Sequence, residues 1–426
     1  MDAITIDGRW PEDPLGVPLD KINMADPAHY RDNTAHAYFR RLRAEDPVHW
    51  NGNHSHPFWS VTKYNDIIAV DSNHKVFSSG VAGTVIEEDF LDGTRVPGGV
   101  ELLSFITMDQ PRHDEHRKAV SPAVAPQNLK RLEGLIRQRT QNVLDELPIG
   151  EEFDWVPRVA VNLTTQMLAT LFDYPFERRE ELTYWSNVGT GFPGDGLVES
   201  WEHRNEVLKD MSRTLRTIWN ERVAKADPDA PDLLSMLTRA PQTADLSEAE
   251  FAGTLFLLIV GGNDTTRNSM SGGAKALHDF PGEWEKLKAN PALLDSMVSE
   301  TIRYQSPVIY QRRTALADIE LGGKHIRKGD RVAMWYMSGN RDDAVIERPD
   351  EFIIDRPRAR QHLSFGFGIH RCVGNRLAEM QLRVLWEEVL KRFDRVEVVG
   401  EAKYLYNPIL RGINSLPVKL HAKGSR

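Results

Sequence analysis

The sequence predicts a mainly α-helical protein with a minor β region, folded as a single large domain over residues 1–426. Three observations lead there. Helical periods dominate residues 112–277. A second helical run covers about 375–392, where Leu377, Met380, Val384 and Leu385 are spaced for one buried face. No linker divides the chain into autonomous parts.

The elements follow in order. The first stretch is rich in proline and polar residues and is expected to wrap the surface. Residues 35–44 read as a short helix, 49–50 and 58–61 as strands joined by the turn-prone segment 51–57, and 63–71 as another helix. From about 78 to 105, glycines and apolar residues follow no clear period, which predicts a long loop. Loops of that length inside compact domains are often functional. Residues 307–333 turn β-rich around Leu321-Gly322-Gly323, residues 340–363 are irregular and charged, and 396–420 alternate like strands.

Composition narrows the function classes. With 40% hydrophobic residues the chain can bury a sizeable core. A net charge of -9 disfavours nonspecific nucleic-acid binding. A mean hydropathy of -0.45 and the lack of any long apolar run argue against a membrane span. The segment Met1-Asp2-Ala3-Ile4-Thr5-Ile6-Asp7 has neither the basic nor the apolar region of a signal peptide or anchor. One cysteine fits a reducing compartment, so a soluble cytoplasmic protein of bacterial type is expected.

That cysteine, Cys372, cannot form an internal disulfide or a multi-cysteine metal site. It can give one thiolate to one metal or attack one electrophile. Gly366 and Gly368 carry no Cβ and would let the backbone approach something flat and large, with Gly374 giving the same clearance after the sulfur. The helical run at 375 places the sulfur near a helix N-terminus, which favours negative charge and suits an axial haem thiolate. A free cysteine is otherwise a small buried hydrophobe. Here the segment Phe365-Gly366-Phe367-Gly368-Ile369-His370-Arg371-Cys372-Val373-Gly374 has the spacing F-x-x-G-x-x-x-C-x-G. It resembles the haem-binding signature of the cytochrome P-450 monooxygenases. The resemblance implies the cytochrome P-450 fold and haem b (iron protoporphyrin IX) with Cys372 as axial ligand. It also implies cofactor contacts at Phe365, Gly366 and Gly374.

A second constellation lies upstream. Ser247 to Glu250 has the S-x-x-E capping-box pattern, and Phe251, Leu255 and Leu258 follow at helical spacing in a run that stays apolar through Val260. Gly261-Gly262-Asn263-Asp264-Thr265-Thr266 is expected to interrupt this helix. Two interior glycines cost roughly 1 kcal/mol each against alanine, and an acid and an alcohol in a core need partners. The break reads either as a strained functional point or as a helix end at Gly261-Gly262 with a new N-cap at Asp264 or Thr265. The segment resembles the P-450 distal-helix motif (A/G)-G-x-(D/E)-T. The resemblance implies a groove for O2, with Thr265 as hydrogen-bond donor in it and Asp264 as proton relay from solvent. Gly261, where the family more often has alanine, and Gly262 would leave room for oxygen and substrate.

Charged residues complete the resemblance. Glu300-Thr301-Ile302-Arg303 matches E-x-x-R, which alone is only an i,i+3 pair. In register before Cys372 it resembles the family's structural ion pair, completed by Arg356. Residues 108–117 resemble the D-x-P-x-H-x-x-x-R element, with His113 and Arg117 on one helical face. These two, with His370 and Arg313 (or its neighbour Arg312), match the family's partners for the haem propionates. Each alone also reads as a solvated charge.

The resemblance covers almost the whole chain, including Asn340-Arg341-Asp342. It implies an enzyme that inserts one atom of O2 into an unactivated C–H bond. Residues 261–270 and 363–376 are most similar to the bacterial subfamily that hydroxylates terminal (omega) methyl groups of medium-chain n-alkanes. Alternatives are hydroxylation of a fatty acid, terpenoid or steroid, or a haem-thiolate sensor without turnover. Terminal attack requires a narrow apolar channel, because methylene C–H bonds are weaker than methyl ones. Expected walls are Val85, Ile86 and Phe90 from the long loop, Leu257, Leu258 and Gly261 from the distal helix, Val308 and Ile309, and Leu410 beside Ile409. About fifty residues follow Cys372, too few for a fused reductase domain. A separate ferredoxin with its ferredoxin reductase is therefore expected, docking on a patch of Arg112, His116, Lys118, Arg371 and Arg376.

Overall fold

The computed structural model describes residues 9–86, 99–243 and 245–424. Its axis is the helix Glu248–Asp279, whose 32 residues extend about 48 Å at 1.5 Å per residue. Both halves of the Ser247/Glu250 capping box form at its start. In its first half Phe251, Leu255 and Ile259 share one apolar cluster with Trp185 of the helix Glu180–Thr190 and with Leu208, Met211 and Leu215 of the helix Trp201–Lys225. In its second half Met270, Ala274 and Leu277 join Trp155 and the face Leu382, Leu385 and Trp386 of the helix Asn375–Arg392.

The expected break at Gly261 to Thr266 does not occur; the helix is continuous through it. The polar side chains there are partnered rather than strained. Asn263 Oδ1 accepts from Thr164 Oγ1 at 2.8 Å, and Asp264 is ion-paired to Arg267 at 2.9 Å. Burial with partners costs little, so no helix end is needed.

The β region forms four sheets among the described residues. The largest runs Val48–Asn51, Phe58–Val61, Arg331–Met334, Gln311–Ala315, Phe77–Ser78. Its pairs are antiparallel except Phe58–Val61 with Arg331–Met334. A three-stranded sheet of Glu152–Asp154, Pro417–Ala422 and Phe393–Val398 closes the C-terminal end. The first stretch does more than wrap the surface: Trp10, Val17, Ile22 and Met24 are buried and pack against Tyr38 and Phe39 of the helix Ala35–Glu45. Apolar residues set between its prolines give it that face. Among the described residues no helix is long and apolar enough to cross a membrane.

The irregular segment 340–363 is held by the E-x-x-R pair. Arg303 donates to both Glu300 oxygens at 2.7 and 2.8 Å, a bidentate geometry. Its remaining donors reach the carbonyls of Asn340, Pro349 and Glu351 at 2.8, 2.8 and 2.9 Å. Arg356 Nε lies 3.1 Å from Glu300 Oε2. Asn340 then donates to Ser306 and Ser364, each at 2.8 Å, and accepts from Leu363 N at 2.6 Å. The pair thus ties the helix Leu294–Gln305 to the start of the cysteine loop. All three charges are buried, and removing one partner strands the others. Arg303→Ala should cost about 3–5 kcal/mol, read as a lowered urea midpoint. Arg40→Ala, which breaks the exposed pair with Asp350, should cost under about 1 kcal/mol. Equal effects would contradict the role given to the network.

Candidate functional site

Cys372 begins the site. Its backbone N–H donates to Phe365 O at 2.8 Å, which folds residues 365–372 into a closed loop. Gly374 is the N-cap of the helix Asn375–Arg392. Cys372 is exposed and lines a cavity of about 300 Å³ together with Phe365, Gly366, Val373, Gly374 and Leu377. Burial pushes the thiol up. The N–H groups of Gly374 and Asn375 and the charges of Arg117 and Arg371 pull it back without overcoming the burial. The helix terminus alone therefore does not secure the anion.

Gly366 and Gly368 are also constrained from behind the loop. Both have positive φ, +66° and +64°. A Cβ on Gly368 would stand 2.5 Å from Asp71 O. This close approach is to the helix Tyr64–Ser72 behind the loop, while Gly366 also lines the cavity in front of it. Asp71 is a hub that sequence reasoning missed. Its carboxylate accepts from Phe367 N at 2.7 Å, Tyr336 Oη at 2.9 Å and Arg313 Nη2 at 2.8 Å. One signal existed: Asp71 shares the buried face of Tyr64 and Ile67 at i, i+3 and i+7, and a charge on such a face is informative.

The opposite wall is the long helix. Gly261, Gly262, Thr265 and Thr266 line it. A Cβ at Gly261 would meet nothing within 4 Å, so this position leaves open space. Thr265 Oγ1 donates to Gly261 O at 2.9 Å. Asp264 faces away from the cavity. It is fully buried, paired to Arg267, and accepts from Ser186 at 3.1 Å and Thr190 at 3.4 Å on the helix Glu180–Thr190. Arg267 in turn donates to Asn187 at 2.6 Å. Burial raises the Asp264 acid above the ordinary carboxylate range, against the pull of Arg267, Ser186 and Thr190.

The remaining residues show whether haem fits. Between cysteine loop and helix the lining is apolar, but Arg117, Arg313 and His370 stand along it. Both ring nitrogens of His370 and Nε2 of His113 are buried without a partner, and the two rings lie 4.4 Å apart. Burial, then Arg313, His113 and Arg117, push His370 down to about 2, so its ring is neutral. An apolar slot with one thiol on its floor, and cations and unused donors grouped along it, fits a flat apolar macrocycle that carries two carboxylates. Arg313, not Arg312, faces the slot. Neighbours on a strand point oppositely, and Arg312 holds the carbonyls of Ala82 and Gly83. Gln311, Tyr336, Ser364 and Gln381 also line the cavity and carried no sequence signal.

The expected channel walls divide. Leu257, Leu258, Gly261, Val308, Ile409 and Leu410 line the cavity. Val85 lines a smaller neighbouring one. Ile86 and Ile309 line neither of these cavities: both are fully buried in the cluster around Tyr310 and Trp335. Phe90 lies outside the described residues. Of the expected docking patch, Arg112, Lys118, Arg371 and Arg376 are exposed, with Arg112 paired to Glu250. His116 is buried and lost to that surface, because its position faces the core side of the helix Arg112–Val120.

Asp71→Asn should loosen the cysteine loop by roughly 1–3 kcal/mol, the scale of charged hydrogen bonds lost at a buried site. The Soret-to-protein absorbance ratio of the purified protein should fall. An unchanged ratio would contradict the hub role.

A family model described as Cytochrome P450 matches residues 195–405. Linalool 8-monooxygenase of Pseudomonas putida is 36% identical over 409 residues, covering 95% of this chain and 100% of that protein. Methyl-branched lipid omega-hydroxylase of Mycobacterium tuberculosis is 32% identical over 321 residues, 74% of each chain. Among solved structures, Cytochrome P450-153 from Novosphingobium aromaticivorans superposes with a TM-score of 0.86 at 40% identity, covering 94% of this chain and 99% of its own. CYP153D17 from Sphingomonas sp. PAMC 26605 superposes with a TM-score of 0.88 at 42% identity, covering 95% and 100%.

Proposed function

The chain belongs to the cytochrome P450 family, and from that premise we propose that it hydroxylates the terminal methyl group of medium-chain n-alkanes or alkyl chains. It is a haem-thiolate monooxygenase with Cys372 as the axial ligand. Bound haem supplies the activation of O2 and the insertion of one oxygen atom into a C–H bond. The protein supplies the sulfur, the proton route and the position of the substrate.

The observation that carries the reading is the lining above Gly261. Ile106, Leu257, Val260, Val308, Ile409 and Leu410 crowd the cavity there. An apolar corridor of that kind favours a chain entering end-on, so that its terminus and not its weaker methylene C–H bonds reaches the reacting position. The likeness of residues 261–270 and 363–376 to terminal alkane hydroxylases supports it. So does the name of the lipid omega-hydroxylase relative, which states attack at a chain end.

In this reading Thr265 Oγ1 turns from the Gly261 carbonyl to donate at the oxygen site. Asp264, raised by burial and linked outward through Arg267 to Asn187, reloads it with a proton. His113, Arg117, Arg313 and His370 take the propionates, and Phe365, Gly366 and Gly374 flank the ring. Glu300, Arg303 and Arg356 hold the loop that carries the sulfur. Electrons come from a separate ferredoxin and its reductase, docking where Arg112, Lys118, Arg371 and Arg376 are exposed. A cytoplasmic setting keeps the lone thiol reduced.

With a surrogate ferredoxin system, octane should yield mainly 1-octanol and outcompete a fatty acid and a monoterpene. Mostly subterminal alcohols would count against the alkane reading. A preference for the monoterpene would favour the terpenoid alternative that the linalool relative suggests. Asp264→Asn should slow product formation about 10²-fold, the low end of general acid–base contributions. Thr265→Ala should divert reducing equivalents into hydrogen peroxide. Unchanged product without peroxide release would refute the role given to Thr265.

A further inference from the structure

A second cavity, of about 100 Å³, adjoins the first. The two share Ile106, Leu257, Val260, Ile409 and Leu410, which therefore line the junction between them. Beyond the junction the lining includes Val85, Leu102 and Phe256. Along the long helix, Phe256 stands nine residues before Thr265, about 13 Å at 1.5 Å per residue. The two cavities follow one face of that helix, since Phe256, Leu257, Val260 and Gly261 recur at three- and four-residue intervals.

Two glycines shape the second cavity. A Cβ on Gly253 would stand 2.3 Å from both the N and the O of Leu103, so only glycine lets the 102–104 backbone lie against the helix. That approach is fixed by Leu103 N donating to Ala249 O at 3.0 Å. On the other side, a Cβ on Gly189 would stand 2.1 Å from Phe256 Cε2. The absence of a side chain at Gly189 is what seats the Phe256 ring against the helix Glu180–Thr190.

The polar groups on this lining are mostly committed. Ser104 and Thr107 satisfy each other in a capping box, and Thr190 donates to Ser186 O at 2.8 Å. Among the described residues no lysine, arginine or histidine lines it. A carboxylate would meet no counter-charge on the described lining, which is costly, whereas a methyl end needs none.

We propose that this cavity seats the far, uncharged end of an extended alkyl substrate, and that Phe256, seated on Gly189, sets the length of chain accepted. The proposal rests on the alkyl-chain reading above and adds to it where chain length is measured and why a charged end is refused.

The test is a titration of the ferric holoenzyme with hexane, octane, decane, dodecane and octanoate, following the Soret shift. Wild type, Phe256→Ala, Phe256→Leu and Gly189→Ala are compared, and the milder Leu variant answers if Ala impairs folding. Opening the cavity at Phe256 should move the tightest-binding alkane to a longer chain, with about fourfold tighter binding for each methylene newly buried. Gly189→Ala, which forces the ring off its seat, should move it to a shorter one. Octanoate should give no shift where octane saturates. A length profile in the Phe256 variants that superimposes on wild type overturns the subsite while leaving the alkane reading intact, and so does octanoate binding as tightly as octane. If no alkane shifts the wild-type Soret band, the alkane reading fails and the subsite with it.

Discussion

An anionic sulfur inside an apolar cavity is the constraint on which the rest of this structure depends. Water would stabilise the thiolate, whereas the cavity around Cys372 offers it a mainly apolar lining. The fold offers two N–H groups at a helix start and two nearby arginines, and burial still outweighs them. The charge is settled only by the metal, because a coordinating thiol is deprotonated outright. The surrounding scaffold serves to hold that sulfur at one place. The N–H of Cys372 is fixed to Phe365, the loop behind it to Asp71, and its start to Asn340 and through Asn340 to the Glu300–Arg303 pair. Buried ion pairs are poor sources of net stability but good at refusing alternative arrangements. That is the property a ligand loop needs.

The two walls of the cavity solve different problems. The cysteine side is tied by backbone hydrogen bonds, Gly366 N to Leu363 O and Cys372 N to Phe365 O among them. The helix side keeps open space at Gly261 and places its acid out of the cavity, against a different helix. Separating Asp264 from the apolar space keeps a titratable group close to the chemistry without exposing the substrate to its charge. Thr265 and Thr266 both line the cavity from this turn, and Thr265, next to Asp264 in the chain, is the hydroxyl we propose as the link between the two environments. The Asp264–Arg267–Asn187 chain also joins this turn to the helix Glu180–Thr190, which contributes Gly189 to the second cavity. The proposed proton route and the proposed substrate space therefore lean on the same helix.

Much of this was legible in the sequence, and the failures have physical causes. The helix Asn375–Arg392 was readable to its ends because a glycine precedes it and basic residues close it. The cysteine loop was readable because its chemistry needs adjacent residues. The continuity of the long helix was not, since the partners that make Asn263 and Asp264 tolerable, Thr164 and Ser186, lie 99 and 78 residues away in the chain. Local cost estimates see the glycines and the acid and cannot see what satisfies them. Ile86 and Ile309 were expected on the channel beside Val85 and Val308, but both are buried in the cluster with Tyr310 and Trp335, a packing of separate segments that no local pattern displays. Asp71 was missed because its three partners come from separate segments, Arg313, Tyr336 and Phe367. The glycines of the cysteine loop were found, but the positive φ and the helix behind them, which constrain Gly366 and Gly368 as well, were not legible.

The central claim is a bond between the sulfur of Cys372 and haem iron. The most direct measurement is the absorption spectrum of the reduced holoprotein under carbon monoxide, for wild type and Cys372→Ser. The account predicts a Soret maximum at the position characteristic of thiolate-ligated haem in wild type and its loss in the serine variant. A wild-type maximum at the position of a nitrogen-ligated haem, or an identical spectrum in both proteins, would contradict it.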